Sequence, residues 1–155
     1  MQASVLFVCL GNICRSPLAE AAFRREAERL RLDVRIDSAG TASWHVGRPP
    51  DPRSIAVARR NGIDISGLRG RQVRSRDFHD FDHIVALDAE NLRNLQALQP
   101  AEGKARLSLL LDHVEGRAGE AVADPYYGED DHFNVTWSDV AAGAAGLARK
   151  IAEGR

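Results

Sequence analysis

An α/β fold with a parallel sheet covered by helices on both faces is predicted by three features of the sequence. Strand-like and helix-like patterns alternate along the chain, the first strand-like segment is a continuous apolar run, and no repeat, linker or low-complexity tract interrupts them. The 155 residues are the length of one domain, so the expected unit is a single domain over 1–155. A chain of this size buries roughly 70% of its unfolded surface, enough for a core without staples.

Each element has its own justification. Val5 to Val8 is unbroken apolar sequence, as in a strand buried on both faces. Ser16-Pro17 is read as the cap and first position of a helix, with Leu18, Ala22, Ala27 and Leu30 inward and Arg24, Arg25 and Glu28 outward. Val34 to Asp37 forms a second strand. Asp51-Pro52 opens a helix running to about Arg60, stopped by Asn61-Gly62. His83 to Leu87 is a third strand, after which Asp88 caps a helix through Leu98, before Pro100. Arg106 to Leu110 reads as a fourth strand, although a Leu-rich run suits a helix as well, and Asp131 to about Glu153 as a long final helix with Val140, Ala144, Leu147 and Ile151 inward. The result is four parallel strands, at whose carboxyl ends ligands bind in such sheets. Cys9 sits at one of these ends.

Composition narrows the function. The formal net charge of -1 argues against a nucleic-acid partner or a polybasic membrane anchor. No segment approaches the ~18 consecutive apolar residues of a membrane span. Met1 to Ser4 carries no basic side chain and Val5 to Val8 is too short for a signal core, so a cytoplasmic protein is expected. The two cysteines, Cys9 and Cys14, do not form a secreted disulfide framework. The five histidines (His45, His79, His83, His113, His132) show no paired ligand spacing, and neither metal nor cofactor is expected.

The chemistry concentrates in Val8-Cys9-Leu10-Gly11-Asn12-Ile13-Cys14-Arg15-Ser16-Pro17. A buried strand ends in Cys9, five residues follow, then Arg15, Ser16 and a helix. Such a span curls so that its N–H groups form a nest for an anion. Gly11 and Asn12 tolerate the positive φ that a curl requires. The helix N-terminus adds unsatisfied N–H groups and its positive dipole end, and Arg15 a planar fork matching phosphate oxygens. Cys9 at the bottom of this cup becomes a thiolate nucleophile, with the Ser16 hydroxyl placed to donate to it. A buried core cysteine would explain Cys9 alone, but not the oxyanion-binding pieces gathered around it. Nucleotide loops fit worse, because neither Gly-x4-Gly-Lys-Ser/Thr nor Gly-x-Gly-x2-Gly occurs here.

Attack on a phosphate ester also needs an acid for the leaving oxygen. Asp51-Pro52 is accounted for as a helix start. Asp124-Pro125-Tyr126-Tyr127-Gly128 reads as a loop, in which proline holds Asp124 extended. By spacing alone it is either a pocket rim carrying an acid or a surface turn with one tyrosine packed on the core.

The stretch from Val8 to Pro17 resembles the signature loop of the low-molecular-weight protein tyrosine phosphatases. The similarity continues through Asp37-Ser38-Ala39-Gly40, Trp44, Val46-Gly47-Arg48, Asp51-Pro52-Arg53, Arg71-Gln72-Val73, Asp88 to Leu92 and Asp124 to Gly128, in one register over essentially the whole chain. The resemblance implies a four-stranded parallel sheet with a phosphate-binding loop between the first strand and first helix. It implies Cys9 as nucleophile, Arg15 as phosphate ligand and Asp124 as general acid and then base. The phosphate loop comprises Leu10, Gly11, Asn12, Ile13, Cys14 and Ser16. Asn12, Ser16 and Ser38 support it. Leu10, Ile13, Trp44, Tyr126 and Tyr127 wall the ring of the substrate. Cys14 is a redox partner that traps oxidised Cys9.

The implied partners are phosphotyrosine-containing proteins, with inorganic phosphate as product and competitive inhibitor and no nucleic acid or membrane. The chain is expected to be a monomer. One departure stands out: many relatives carry a histidine where this chain has Leu68, which predicts a less firmly braced loop. The arginine-rich stretch from Arg69 to Arg76 reads either as a contact for acidic partners or as a solvated face.

Two rival readings make different predictions. Arsenate reductases of related fold share the Cys-x5-Arg loop, but thioredoxin-coupled ones need further redox cysteines and none follows Cys14. A non-catalytic phosphotyrosine-binding module predicts loss of Cys9, Arg15 or Asp124, and all three are present.

Overall fold

The computed structural model describes residues 2–154; Met1 and Arg155, at the ends of the expected 1–155 unit, lie outside the described residues. Four strands, β1 (Ala3–Cys9), β2 (Val34–Gly40), β3 (His83–Ala86) and β4 (Arg106–Leu109), form one parallel sheet in the order β2-β1-β3-β4. The helices are α1 (Arg15–Arg29), α2 (Pro52–Arg60), α3 (Asp77–Asp80), α4 (Ala89–Leu98) and α5 (Asp130–Ala152). Among the described residues no helix is long and apolar enough to cross a membrane.

The apolar run of β1 alternates between two cores. Val5, Phe7 and Cys9 join the cluster built with α1 and α5, where the Phe7 and Phe23 rings lie 5.5 Å apart. Leu6 and Val8 join a second cluster with Phe78 of α3 and Leu95 of α4. Helices therefore cover both faces, as an all-parallel sheet requires. β1 pairs with β2 on one side and β3 on the other, so the order reverses at β1. The crevice at that switch point opens above Cys9.

The predicted elements hold with local corrections. α1 begins at Arg15 with Cys14 at its N-cap, so Ser16-Pro17 lies inside the first turn and Ser16 is not the cap. Its hydroxyl instead lies 3.0 Å from Cys9 Sγ, and the start of the helix has no side-chain cap bond. β2 runs to Gly40, beyond the expected Asp37, because Ser38, Ala39 and Gly40 pair with Phe7, Val8 and Cys9. Gly40 is required there: a Cβ would stand 2.7 Å from the Leu10 carbonyl oxygen. β4 stops at Leu109, and Leu110–His113 turns into a 3-10 helix as the Asp112 carboxylate accepts the Leu109 N–H. The short α3 went unpredicted. It is held by buried Asp77, which accepts the Arg74 N–H and two guanidinium bonds from Arg71. Asp51 and Asp88 cap α2 and α4 as expected, accepting N–H bonds from Arg53 and Asn91.

Candidate active site

The segment after β1 curls as a cup whose base is a directional chain of hydrogen bonds. Asn12 takes a φ of 58°, the left-handed turn the curl needs. Gly11 does not share it; the second expected positive φ is absent, and the glycine instead makes room for His45, whose Cδ2 would lie 2.9 Å from an added Cβ. The Arg71 N–H donates to Asn12 Oδ1 at 3.0 Å, which fixes the amide orientation. Asn12 Nδ2 then donates to Ser16 Oγ (2.8 Å) and to Ser38 Oγ (3.0 Å). Ser38 sends its proton to Glu20 Oε1 at 2.7 Å. Ser16, already an acceptor, has its own hydrogen left for Cys9 Sγ at 3.0 Å.

Arg15 is 3% exposed yet held in place. Nη1 donates to the Val122 carbonyl at 2.7 Å and Nη2 meets Asp88 Oδ2 at 2.8 Å. Asp88 divides its carboxylate: Oδ1 caps α4 and Oδ2 holds Arg15. Val122 is fixed in turn by its N–H to the Leu87 carbonyl at the end of β3. Asp124, half-exposed, stands 3.7 Å from Arg15 and accepts the Tyr126 N–H, so a turn within its own loop orients the carboxylate.

One cavity of about 330 Å³ gathers Cys9, Cys14, Arg15 and Asp124 with Leu10, Gly11, Ile13, Trp44, His45, Tyr126 and Tyr127. Trp44 is 70% exposed and Tyr127 97%. The two tyrosine rings meet edge to face at 4.9 Å. Apolar surface this open marks a binding rim rather than core. The two cysteines differ chemically. The Cys14 thiol is pushed up to about 12, first by burial and then by the negative charges of Asp51, Cys9 and Asp124. It is a thiol at rest, and Cys9 lies 3.0 Å from the Ser16 hydroxyl. Among the described residues no group of three or more His, Cys, Asp or Glu side chains is arranged to hold a metal ion.

A family model described as low molecular weight phosphotyrosine protein phosphatase matches residues 4–155. The chain belongs to that family. It is 48% identical over 132 residues to the low molecular weight phosphotyrosine protein phosphatase of Schizosaccharomyces pombe, covering 83% of this chain and 84% of that one. The crystal structure of YfkJ from Bacillus subtilis superposes with a TM-score of 0.92 at 40% identity, covering 100% of this chain and 98% of that one. A protein tyrosine phosphatase from Entamoeba histolytica, with Hepes in its active site, superposes at 0.93 with 35% identity and 99% coverage of each chain.

Within the family frame, Leu68 is partly buried against the main core and makes no polar contribution to the cup. The network closes on Glu20 and the Arg71 N–H instead, so the loop is braced without a histidine. Sequence reading passed over Glu20, His45, Asp88 as the holder of Arg15, and the Val122 carbonyl. Glu20 carried a signal, being the one charged residue in Leu18-Ala19-Glu20-Ala21-Ala22-Phe23. Asp88 carried another, its place at the carboxyl end of a strand. A backbone carbonyl such as Val122 carries none. The arginine-rich stretch is partly spent internally: Arg71 pairs with Asp37 and Asp77, and Arg76 with Asp80.

Proposed function

We propose that this protein hydrolyses phosphotyrosine through a phosphocysteine intermediate on Cys9. The observation carrying this reading is that one cavity joins Cys9, the buried fork of Arg15 and the carboxyl of Asp124. A phosphate seated in the loop meets inward N–H groups and the Arg15 guanidinium, which stabilise charge on its non-bridging oxygens. The Cys9 thiolate attacks phosphorus in line, the P–O bond to the phenol breaks, and Asp124 gives its proton to the departing oxygen. The Asp124 carboxylate then takes a proton from water, water oxygen attacks phosphorus, and Cys9 leaves as the thiolate that Ser16 hydrogen-bonds. Inorganic phosphate is the product and competes for the same loop.

Selectivity follows from depth. Cys9 is 4% exposed and the cavity is walled by Leu10, Ile13, Trp44, Tyr126 and Tyr127, so an aryl ester reaches phosphorus where a serine ester falls short. Phosphocysteine chemistry needs Asp124 protonated while Cys9 is ionised, so turnover is highest at mildly acidic pH and falls toward neutrality. Cys14 is the resolving thiol in this reading: peroxide converts the Cys9 thiolate to a sulfenic acid, and the Cys14 sulfur displaces water to form the disulfide. Recovery from peroxide by added thiol is then poorer in Cys14→Ser than in wild type.

The deciding experiment compares phosphate release from a phosphotyrosine peptide at about pH 5.5, with chelator, for wild type and Cys9→Ser. Release that survives chelator and disappears in Cys9→Ser is expected. Equal release by Cys9→Ser, or equal rates on phosphoserine and phosphotyrosine peptides, would overturn the reading.

A further inference from the structure

We propose that Arg53 is the positioning residue that holds the Asp124 loop against the nucleophile loop, and that general-acid catalysis depends on it. The inference deepens the function proposed above and rests on it. Arg53 lies in the first turn of α2, and four bonds from its guanidinium reach two different structures. Nε and Nη2 grip Asp51 Oδ1 and Oδ2, both at 3.0 Å. Nη2 also donates to the Tyr126 carbonyl at 2.8 Å, and Nη1 to the Gly128 carbonyl at 3.0 Å. The plane lies over buried Phe133 at 4.6 Å, which fixes its tilt.

The two ends of this contact are the two halves of the site. The Asp51 N–H donates to the Ile13 carbonyl of the cup at 2.8 Å. Tyr126, whose carbonyl Arg53 holds, uses its N–H to orient Asp124 Oδ1 at 3.1 Å. Asp51 to Arg53 is thus a three-residue bridge from the cup to the residue that aims the acid. Among the described residues, the side chains from outside the loop that bond or pair with 124–128 are Arg53 and Arg15, and Arg15 is to be occupied by phosphate. Capping α2 does not explain this arrangement, since the Asp51 carboxylate already accepts the Arg53 N–H. Both loop acceptors are backbone carbonyls, which a planar fork reaches together and an ammonium does not.

The test is the dependence of kcat/KM on the leaving group, in Arg53→Met, Arg53→Lys, Asp124→Asn and the double variant Arg53→Met/Asp124→Asn. A displaced acid slows esters that need protonation and spares those that do not. A misplacement of the order of 1 Å costs up to about 100-fold. Arg53→Met is expected to lose about 10-fold or more on phenyl phosphate and less than about 3-fold on 2,4-dinitrophenyl phosphate. Arg53→Lys, which keeps the cation and the stem and guards against a folding defect, shows a smaller loss with the same leaving-group pattern. In the Asp124→Asn background Arg53→Met adds little, because there is no acid left to position. Equal loss on both esters, or losses that multiply in the double variant, would overturn the proposal. Failure of the underlying function looks different: Asp124→Asn itself would then show no leaving-group dependence.

Discussion

Glu20 shows how one buried side chain serves both the cup and the stability of the fold. It is 2% exposed, accepts the Ser38 hydroxyl and is held by Arg24 at 2.9 Å. Burial, ahead of the opposing hydrogen bonds from Ser38 and Arg24, raises its carboxyl above the usual 4.5. The folded chain therefore binds this proton more tightly than the unfolded one. The favourable contribution is complete below about 4.5 and is lost as pH rises through the raised folded-state value. Glu20→Gln keeps an acceptor for Ser38 and removes the titration. Urea unfolding should show the variant gaining stability relative to wild type as pH rises above about 4.5. A difference that stays constant across that range would refute the assignment. This residue was legible in sequence only as a charge inside an apolar run, because its partner Ser38 lies on another element.

At the scale of elements, α5 docks through small residues. A Cβ on Gly146 would stand 1.9 Å from the His113 carbonyl oxygen, a backbone atom that cannot swing aside. Gly146→Ala must push α5 from the 3-10 turn after β4, and overpacking of this kind costs typically 1–3 kcal/mol. A lowered Tm with little change in kcat for the folded fraction is the expected result, because the contact lies on the far side of α5 from its first turn, near the acid loop. An unchanged Tm would mean that the helix is not seated this closely. The sequence announced α5 by its apolar period and announced α2 and α4 by Asp51 and Asp88. It did not announce the close seat of Gly146, since a helical glycine reads only as a weak helix former. Nor did it announce α3, four residues long and held by the buried Asp77 carboxylate with Arg71, a pairing that fits neither helix nor strand periodicity.

For the molecule as a whole, acid sensitivity has an identifiable contributor at the edge of the sheet. His113 is pushed down to about 4, first by burial and then by Lys150. Lys150 Nζ can only donate, so Nδ1 at 3.1 Å is the acceptor and Nε2–H donates to Ser108 Oγ at 2.9 Å. The imidazole is buried neutral, tying β4 to α5. With the folded value depressed, the unfolded chain binds more protons between about 4 and 6.5. Stability from this group is complete above 6.5 and is lost as pH falls through that window. His113→Gln should flatten the loss of Tm between about pH 6.5 and 4 relative to wild type; an unaltered slope would rule His113 out as the source.

The sequence by itself determined the four strands, the four longer helices and the loop from Val8 to Pro17, because these depend on local apolar runs, capping residues and one contiguous motif. It also marked Asp124 as the candidate loop acid. Tertiary structure alone decided how the acid and the fork are held. Arg15 is gripped by Asp88 and the Val122 carbonyl, Ser16 is turned toward Cys9 by Asn12, and Arg53 reaches carbonyls more than seventy residues further along the chain. These contacts have no local signature. They arise where β1, β2 and β3 end side by side, and the short range of a hydrogen bond makes that meeting of strand ends the condition for every one of them.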